Sequence, residues 1–390
     1  MSTQSHPDKV VLTCAVTGVL ANRKQCAGIP YTPKEIAEEC KRAYDAGASV
    51  VHIHARNDDG SPTFAPETFA AIKREVRERC PIILNFSTGI IGDDVSEIVR
   101  YIEESRPEIA ALNMGTMNYS KYSRRQQKFV FDMVFPNKYG KIVELLEAMN
   151  RAGVKPELEC FDSGHTHGSW PLLDMGVLKK PVQYSFIVNV LGGIPPTVES
   201  LQLQSKIAAD VVKDGQHCWE VIGISHCHWK MLASALVLGG NIRTGLEDHL
   251  YLPSGEMAQS NGEMVEHAAQ LARLNACDRI VLKLNRVGGF FEALKIVSIC
   301  ESAGIGVSVD TNPYTLIGDT AVCHIAATCR VHYPVDCEGH QSFLDWGGET
   351  LVSGGVRIAD GRAHLSDKPG LGVEVDWEAL SRHQQLGYER

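Results

Sequence analysis

Short apolar segments alternate with amphipathic stretches along the first 275 residues, and this alternation confines the chain to α/β architectures. The strand-like segments begin with VVLTCAV (Val10 to Val16), SVVHIHA (Ser49 to Ala55), PIILNF (Pro81 to Phe86) and IAALN (Ile109 to Asn113). They continue with PELEC (Pro156 to Cys160), QYSFIVNV (Gln183 to Val190), WEVIGI (Trp219 to Ile224) and the less apolar GGNIRT (Gly239 to Thr244). Most are short, apolar and β-branched, as strands covered on both faces must be. The helical stretch TPKEIAEECKRAYDAG shows the intervening pattern: Thr32 as N-cap, Pro33 at the first helical position and a face of Ile36, Cys40 and Ala43. Gly47 supplies a left-handed stop. Eight such units predict an α/β fold of the closed (β/α)8 barrel type. No glycine fingerprint follows the first strand, and no Walker loop occurs, so an open dinucleotide-binding sheet is not expected.

The rhythm does not stop at the eighth unit. RIVLKL (Arg279 to Leu284), FFEALKIVSICESAG and IGVSVD (Ile305 to Asp310) are followed by another helix and a Gly-rich tail. The expected organisation is therefore a barrel over residues 1–275 and a partial β/α barrel segment over 276–390. Such a fragment exposes strand edges, which predicts association through it or poor order within it.

A net charge of −9 argues against nucleic acid or an anionic membrane as partner. No apolar run approaches the ~20 residues of a membrane span, and the polar start MSTQSHPDKV lacks the apolar core of a signal peptide. Twelve cysteines are scattered without a CxxC pair, several inside apolar segments, which reads as free thiols in the cytoplasm.

Three His-x-His pairs occur: His52/His54, His165/His167 and His226/His228. Residues two apart on a strand share a face, so one pair can offer two imidazoles to one metal. His52/His54 closes a strongly apolar strand and is the best placed; His165/His167 falls in the polar, loop-like DSGHTHGSW. Further polar residues follow strand ends: Asn85, Ser87 and Thr88, then Asn113 and Thr116, then Glu157 and Glu159, then Arg243, Glu247 and Asp248. Barrel active sites lie at those ends. Two imidazoles with Glu247 make an open zinc-type site, Asp248 stands beside it as a base, and Arg243 can pair with Asp248 or a substrate carboxylate.

TCAVTG, AYDAGASVVHIHARNDDGSPT, NFSTG, RPEIAALNMGTMNY, GVKPELECFD, GGNIRTGLED and SNGEMVE together resemble the β-keto acid cleavage enzymes over residues ~9–274. The resemblance implies a metal-dependent TIM-barrel catalytic domain in a homo-oligomer, with one divalent ion per subunit, usually Zn2+. It implies that a β-keto acid and acetyl-CoA give acetoacetate and a new acyl-CoA. By motif, His52, His54 and Glu247 bind the metal, and Asp248, poised by Arg243, deprotonates the acetyl-CoA methyl for attack on the ketone. Ser87 and Thr116 hold the substrate carboxylate and adjacent groups, with Thr88 beside them, and Glu159 matches a pocket glutamate.

Two positions depart from the family pattern. Leu20 stands where amine-binding members carry glutamate, so Gly18-Val19-Leu20 resembles members acting on dehydrocarnitine-type cationic substrates. Ser225-His226 replaces a usual Gly-Arg pair. A second resemblance covers ~277–390: CDRIVLKLNRVGGFFEALKIVSICESAGIGVSVD and PGLGVEVDWEAL are similar to the C-terminal part of an enolase-superfamily barrel of mandelate racemase type. Lys283 falls on a catalytic-lysine position there, with Asp319, Glu338 and His340 as polar candidates. The superfamily's metal-binding carboxylate strands have no counterpart, so racemase or dehydratase chemistry is the alternative, and a catalytically inactive fusion is another.

Overall fold

The computed structural model describes residues 9–273, 279–302, 305–310, 315–329, 335 and 351–382. The chain divides into two compact units, Met1–Leu274 and Asn275–Arg390. In the first, eight parallel strands close in the order β1-β10-β9-β8-β7-β4-β3-β2. The first half of the chain runs β1 (Leu12–Ala15), α1 (Pro33–Ala46), β2 (Val50–Ile53), α2 (Pro66–Arg77), β3 (Ile83–Phe86), α3 (Ser96–Ser105) and β4 (Ile109–Asn113). A hairpin, β5 (Met117–Ser123) and β6 (Lys128–Phe135), interrupts the alternation before α4 (Tyr139–Ala152). Then follow β7 (Lys155–Cys160), α5 (Ser163–His167), α6 (Trp170–Asp174), β8 (Val182–Val188) and α7 (Val198–Val211). The barrel ends with β9 (His217–Gly223), α8 (His228–Val237), β10 (Asn241–Thr244) and α9 (Asn261–Arg273).

Local chemistry explains these boundaries. Thr32 and Glu35 form a reciprocal capping box at the start of α1, and Gly47 ends it at φ 115°. Ile36, Ala37, Cys40 and Ala43 are buried against the barrel, so the helix face expected from spacing is the one that packs. DSGHTHGSW, expected as loop, instead forms the short helix α5, because Asp162 caps it by accepting from Gly164 N at 3.2 Å. No helix of the described residues is long and apolar enough to cross a membrane.

The barrel interior carries a polar layer below the mouth. Thr13 donates to Glu220 (2.7 Å), and Ser185 lies within hydrogen-bond reach of both Glu220 (3.0 Å) and Glu157. Asn85 donates to Glu157. A hydroxyl has one proton, so Ser185 can serve both acids only if one of them is itself protonated. Burial pushes Glu220 well above the usual carboxylate range, and the charge of Glu157 adds to it, so Glu220 carries that proton. A carboxyl whose folded pKa is raised contributes stability that is full at acid pH and is lost as pH rises through the folded value. Glu220→Gln keeps a donor for Ser185 and an acceptor for Thr13 but cannot ionise. Its stability relative to wild type, from urea midpoints, is expected to improve between pH 4 and pH 8, whereas Glu220→Ala costs about 2–4 kcal/mol. A pH-independent difference for the glutamine variant would contradict the protonated assignment.

The second unit contains a parallel pair, β11 (Arg279–Leu282) and β12 (Gly306–Val309), with α10 (Leu284–Val287), α11 (Phe290–Ser302) and α12 (Leu316–Thr328). Leu282, Val297, Val307, Val309 and Val322 share its own apolar cluster. Strands β13 (Val352–Gly354), β14 (Arg357–Ala359), β15 (Arg362–His364) and β16 (Val373–Val375) form two antiparallel pairs before α13 (Trp377–Arg382).

Candidate active site at the barrel mouth

The strands end in polar residues that converge on one point. His52 lies at the end of β2, in register with Ala15 on β1 and Asn85 on β3, and is almost fully buried. His54 follows two residues on, with its ring centroid 5.1 Å from that of His52. Across the mouth, β10 delivers Arg243, and the turn after it delivers Glu247 and Asp248. Gly245 makes that turn possible: at φ 135°, a Cβ there would sit 2.2 Å from the Ala15 carbonyl oxygen. Gly18 plays the matching role on the facing loop, where a Cβ would meet Glu247 Cγ at 2.6 Å.

Glu247 Oε1 lies 3.4 Å from His54 Nε2 and 3.8 Å from His52 Nε2. Candidate donor atoms of the three residues all fall within 4.8 Å of one another. Both ring nitrogens of His52, and Glu247 Oε2, are buried without a hydrogen-bond partner. Buried polar atoms are rarely left so, and a divalent cation would satisfy them. The donor set therefore fits a metal of the kind that takes two imidazoles and a carboxylate.

Arg243 organises the carboxylates. Its Nε and Nη2 donate to the two oxygens of Asp248 at 3.0 and 2.9 Å, a bidentate fork. Nη2 also donates to Glu247 Oε1 at 2.8 Å, and Nη1 lies 3.5 Å from Glu159 Oε1. Nη1 donates no hydrogen bond among the described residues, which leaves it for an anionic ligand. Burial pushes Asp248 up to about 7 against the pull of Arg243, and pushes Glu159 up to about 8 with the charge of Glu157 adding. A carboxylate so placed can exchange a proton with carbon near neutral pH.

A cavity of about 440 Å³ opens onto this cluster, lined by His54, Ser87, Glu159, Arg243, Glu247 and Asp248. Asn113 also reaches it, and His52 lies beneath. Thr88 and Thr116, expected beside Ser87, are not brought to it. Thr88 is buried and donates to the Ala111 carbonyl, while Thr116 is exposed and its hydroxyl accepts from Asn137 N at 2.9 Å. The remaining wall is apolar: Leu20, Ile90, Phe135, Phe161, Ile187 and Ile222 among others, with Tyr119 and Met133 from the hairpin. Sequence reasoning missed this wall in part because Tyr119, Met133 and Phe135 come from β5 and β6.

The other histidine pairs do not form sites of this kind. His228 is buried, bonded to the Gly223 carbonyl and Thr244 Oγ1 at 2.8 Å each, and burial holds it down at about 3. His226 is exposed, His165 packs on Gly115, and His167 lines a separate outer cleft. In the second unit Lys283 pairs with Asp310, and Asp319 is buried in α12. Glu338 and His340 lie outside the described residues.

A closed parallel barrel with a two-histidine, one-carboxylate cluster and a forked Arg–Asp pair at its mouth defines a barrel enzyme with a divalent-metal donor set. The β-keto acid cleavage enzyme profile matches residues 9–282, and the chain belongs to that family. An enolase C-terminal domain-like profile matches residues 255–379. A 3-keto-5-aminohexanoate cleavage enzyme from Fusobacterium nucleatum subsp. nucleatum is 34% identical over 268 residues, covering 68% of this chain and 92% of the relative. A 3-dehydrocarnitine:acetyl-CoA trimethylamine transferase from Rhizobium meliloti is 31% identical over 290 residues, covering 67% and 90%. Among solved structures, the binary complex of ObcA with oxaloacetate shares the barrel fold at 20% identity and a TM-score of 0.51, over 70% of this chain and 67% of that one.

Proposed function

We propose that this chain converts a β-keto acid and acetyl-CoA into acetoacetate and a new acyl-CoA, with His52, His54 and Glu247 holding one zinc ion. The observation that carries the reading is the carboxylate of Asp248, forked by Arg243 beside the donor set and facing a cavity of substrate size. When bound, the metal would supply Lewis-acid polarisation of a carbonyl oxygen. The ten described cysteines are free, which supports a cytoplasmic protein, and a homo-oligomeric state belongs to the same proposal.

Atom balance decides which proton Asp248 removes. Addition of an acetyl-methyl carbanion to the ketone, the order first expected, would join the keto carbon to the acetyl methyl, a bond that neither product contains. Acetoacetate instead requires a bond between C2 of the keto acid and the acetyl carbonyl carbon. Asp248 therefore takes the C2 proton, and C2 displaces the coenzyme A thiolate from the acetyl group. The thiolate then attacks the former ketone, the C2–C3 bond breaks, and Asp248 returns the proton to C2. Arg243, through the Nη1 that donates no hydrogen bond among the described residues, and Ser87 would hold the substrate carboxylate so that C2 faces Asp248.

The substrate side chain must then lie along the apolar wall. The ionisable cavity residues other than Tyr119 (His54, Glu159, Arg243, Glu247 and Asp248) all belong to the cluster already engaged, and Leu20 adds aliphatic surface. A charged side chain would be buried there without a dedicated partner, at a cost of several kcal/mol. This favours a neutral apolar side chain over the cationic type expected from Leu20. With 3-oxohexanoate, 3-dehydrocarnitine and 3-oxoadipate tested side by side, kcat/KM is expected to be at least about tenfold higher for the neutral acid. Preference for the cation would contradict the side-chain assignment, and no acetoacetate from any of the three would count against the reaction.

A further inference from the structure

The hairpin that adds Tyr119, Met133 and Phe135 to the cavity wall carries a second kind of chemistry at its other end. On β5 and β6, Tyr119 pairs with Met133 and Met117 with Phe135, and Tyr119, Met133 and Phe135 line the cavity. Lys121 pairs with Phe131 one step further out, on the same face of the ribbon. The strands then run to an exposed tip holding Arg124, Arg125 and Lys128. None of these four cations forms an ion pair with a carboxylate among the described residues, although the chain as a whole carries a net −9. Beside them Tyr122 and Phe129 face each other across the strands with ring centroids 5.5 Å apart, and about half of each is exposed.

Four unpartnered cations next to two exposed rings make a surface suited to a phosphorylated nucleotide. Arginines fork onto phosphate oxygens, and exposed aromatic rings offer a stacking face for a base. The position is as informative as the composition. At about 3.4 Å per residue, Ser123 lies about 14 Å beyond Tyr119 along β5. That is the length scale of an extended pantetheine arm, so a thioester in the cavity would bring its nucleotide to the tip. We propose that the β5–β6 tip, through Lys121, Arg124, Arg125 and Lys128, binds the 3′-phospho-ADP moiety of coenzyme A, with Tyr122 and Phe129 against the adenine. The assignment rests on acetyl-CoA as co-substrate and supplies the nucleotide site that no sequence motif in the chain provides.

The test compares binding with and without the nucleotide, in the full chain. Titration calorimetry of coenzyme A against wild type and an R124A/R125A/K128A variant is expected to show Kd rising about tenfold or more. Binding of pantetheine should not change, and R124K/R125K should recover part of the loss. The KM for acetyl-CoA, but not for S-acetylpantetheine, should rise in parallel. Equal effects on both ligands, an unchanged Kd, or a change only in oligomeric mass by light scattering would each overturn the assignment. Nucleotide-dependent binding without acetoacetate release would leave the tip in place and sink the reaction.

Discussion

Asp248→Asn is expected to lower kcat/KM for acetoacetate formation by about 10³-fold or more while leaving the bound metal unchanged. Asparagine keeps the size of the side chain and one acceptor for the Arg243 fork, whose two bonds measure 3.0 and 2.9 Å. It cannot take a proton from carbon. His54→Ala provides the contrast, because it removes one of three donors and should strip the metal along with activity. Elemental analysis of both proteins beside their kinetics separates base from ligand. If Asp248→Asn kept more than about a tenth of wild-type activity, proton transfer would have to be assigned elsewhere.

The second large effect is on stability as well as on rate. Arg243 is 2% exposed and lies against Asp248, Glu247 and Glu159. Arg243→Ala leaves three carboxyl groups together in a buried site without their cation. Breaking a buried ion pair from one side costs about 3–5 kcal/mol, and here one cation serves three partners. Urea unfolding should show a loss of at least that size. Arg243→Lys should lie between, since it restores charge but not the planar fork that fixes Asp248. Wild-type stability in Arg243→Ala would mean that the carboxylates are held by something other than this guanidinium.

Much of this site could be read from the sequence, for identifiable reasons. His52 and His54 lie two apart at the end of an apolar run, where period-two alternation puts both on one face. Gly245 follows Arg243 and Thr244 directly, so the turn that aims Glu247 and Asp248 is marked by its glycine. The same alternation separates Ser87 from Thr88: adjacent residues point to opposite sides, and only Ser87 reaches the cavity. Thr116 was harder to place, since it stands where the chain leaves β4 for the hairpin.

The hairpin itself gave little warning. Its turn uses Gln127 at φ 49° where a glycine or asparagine would ordinarily signal the reversal. Glu220 also escaped notice, although a lone carboxyl within the apolar WEVIGI must find partners once both strand faces are covered. Pairwise contacts across the barrel, from Thr13 to Glu220 to Ser185 to Glu157, arise from closure and have no local signature. In the second unit, the lysine position marked by resemblance is met by Asp310, four residues after the start of β12, a pairing that depends on how two strands align.

An isotope follows directly which carbon atoms the reaction joins. With acetyl-CoA labelled at the carbonyl carbon and unlabelled 3-oxohexanoate, the wild-type chain should place all of the label at C3 of acetoacetate. The butanoyl-CoA formed alongside should carry none. Label in the acyl-CoA product, or consumption of acetyl-CoA without labelled acetoacetate, would contradict the account.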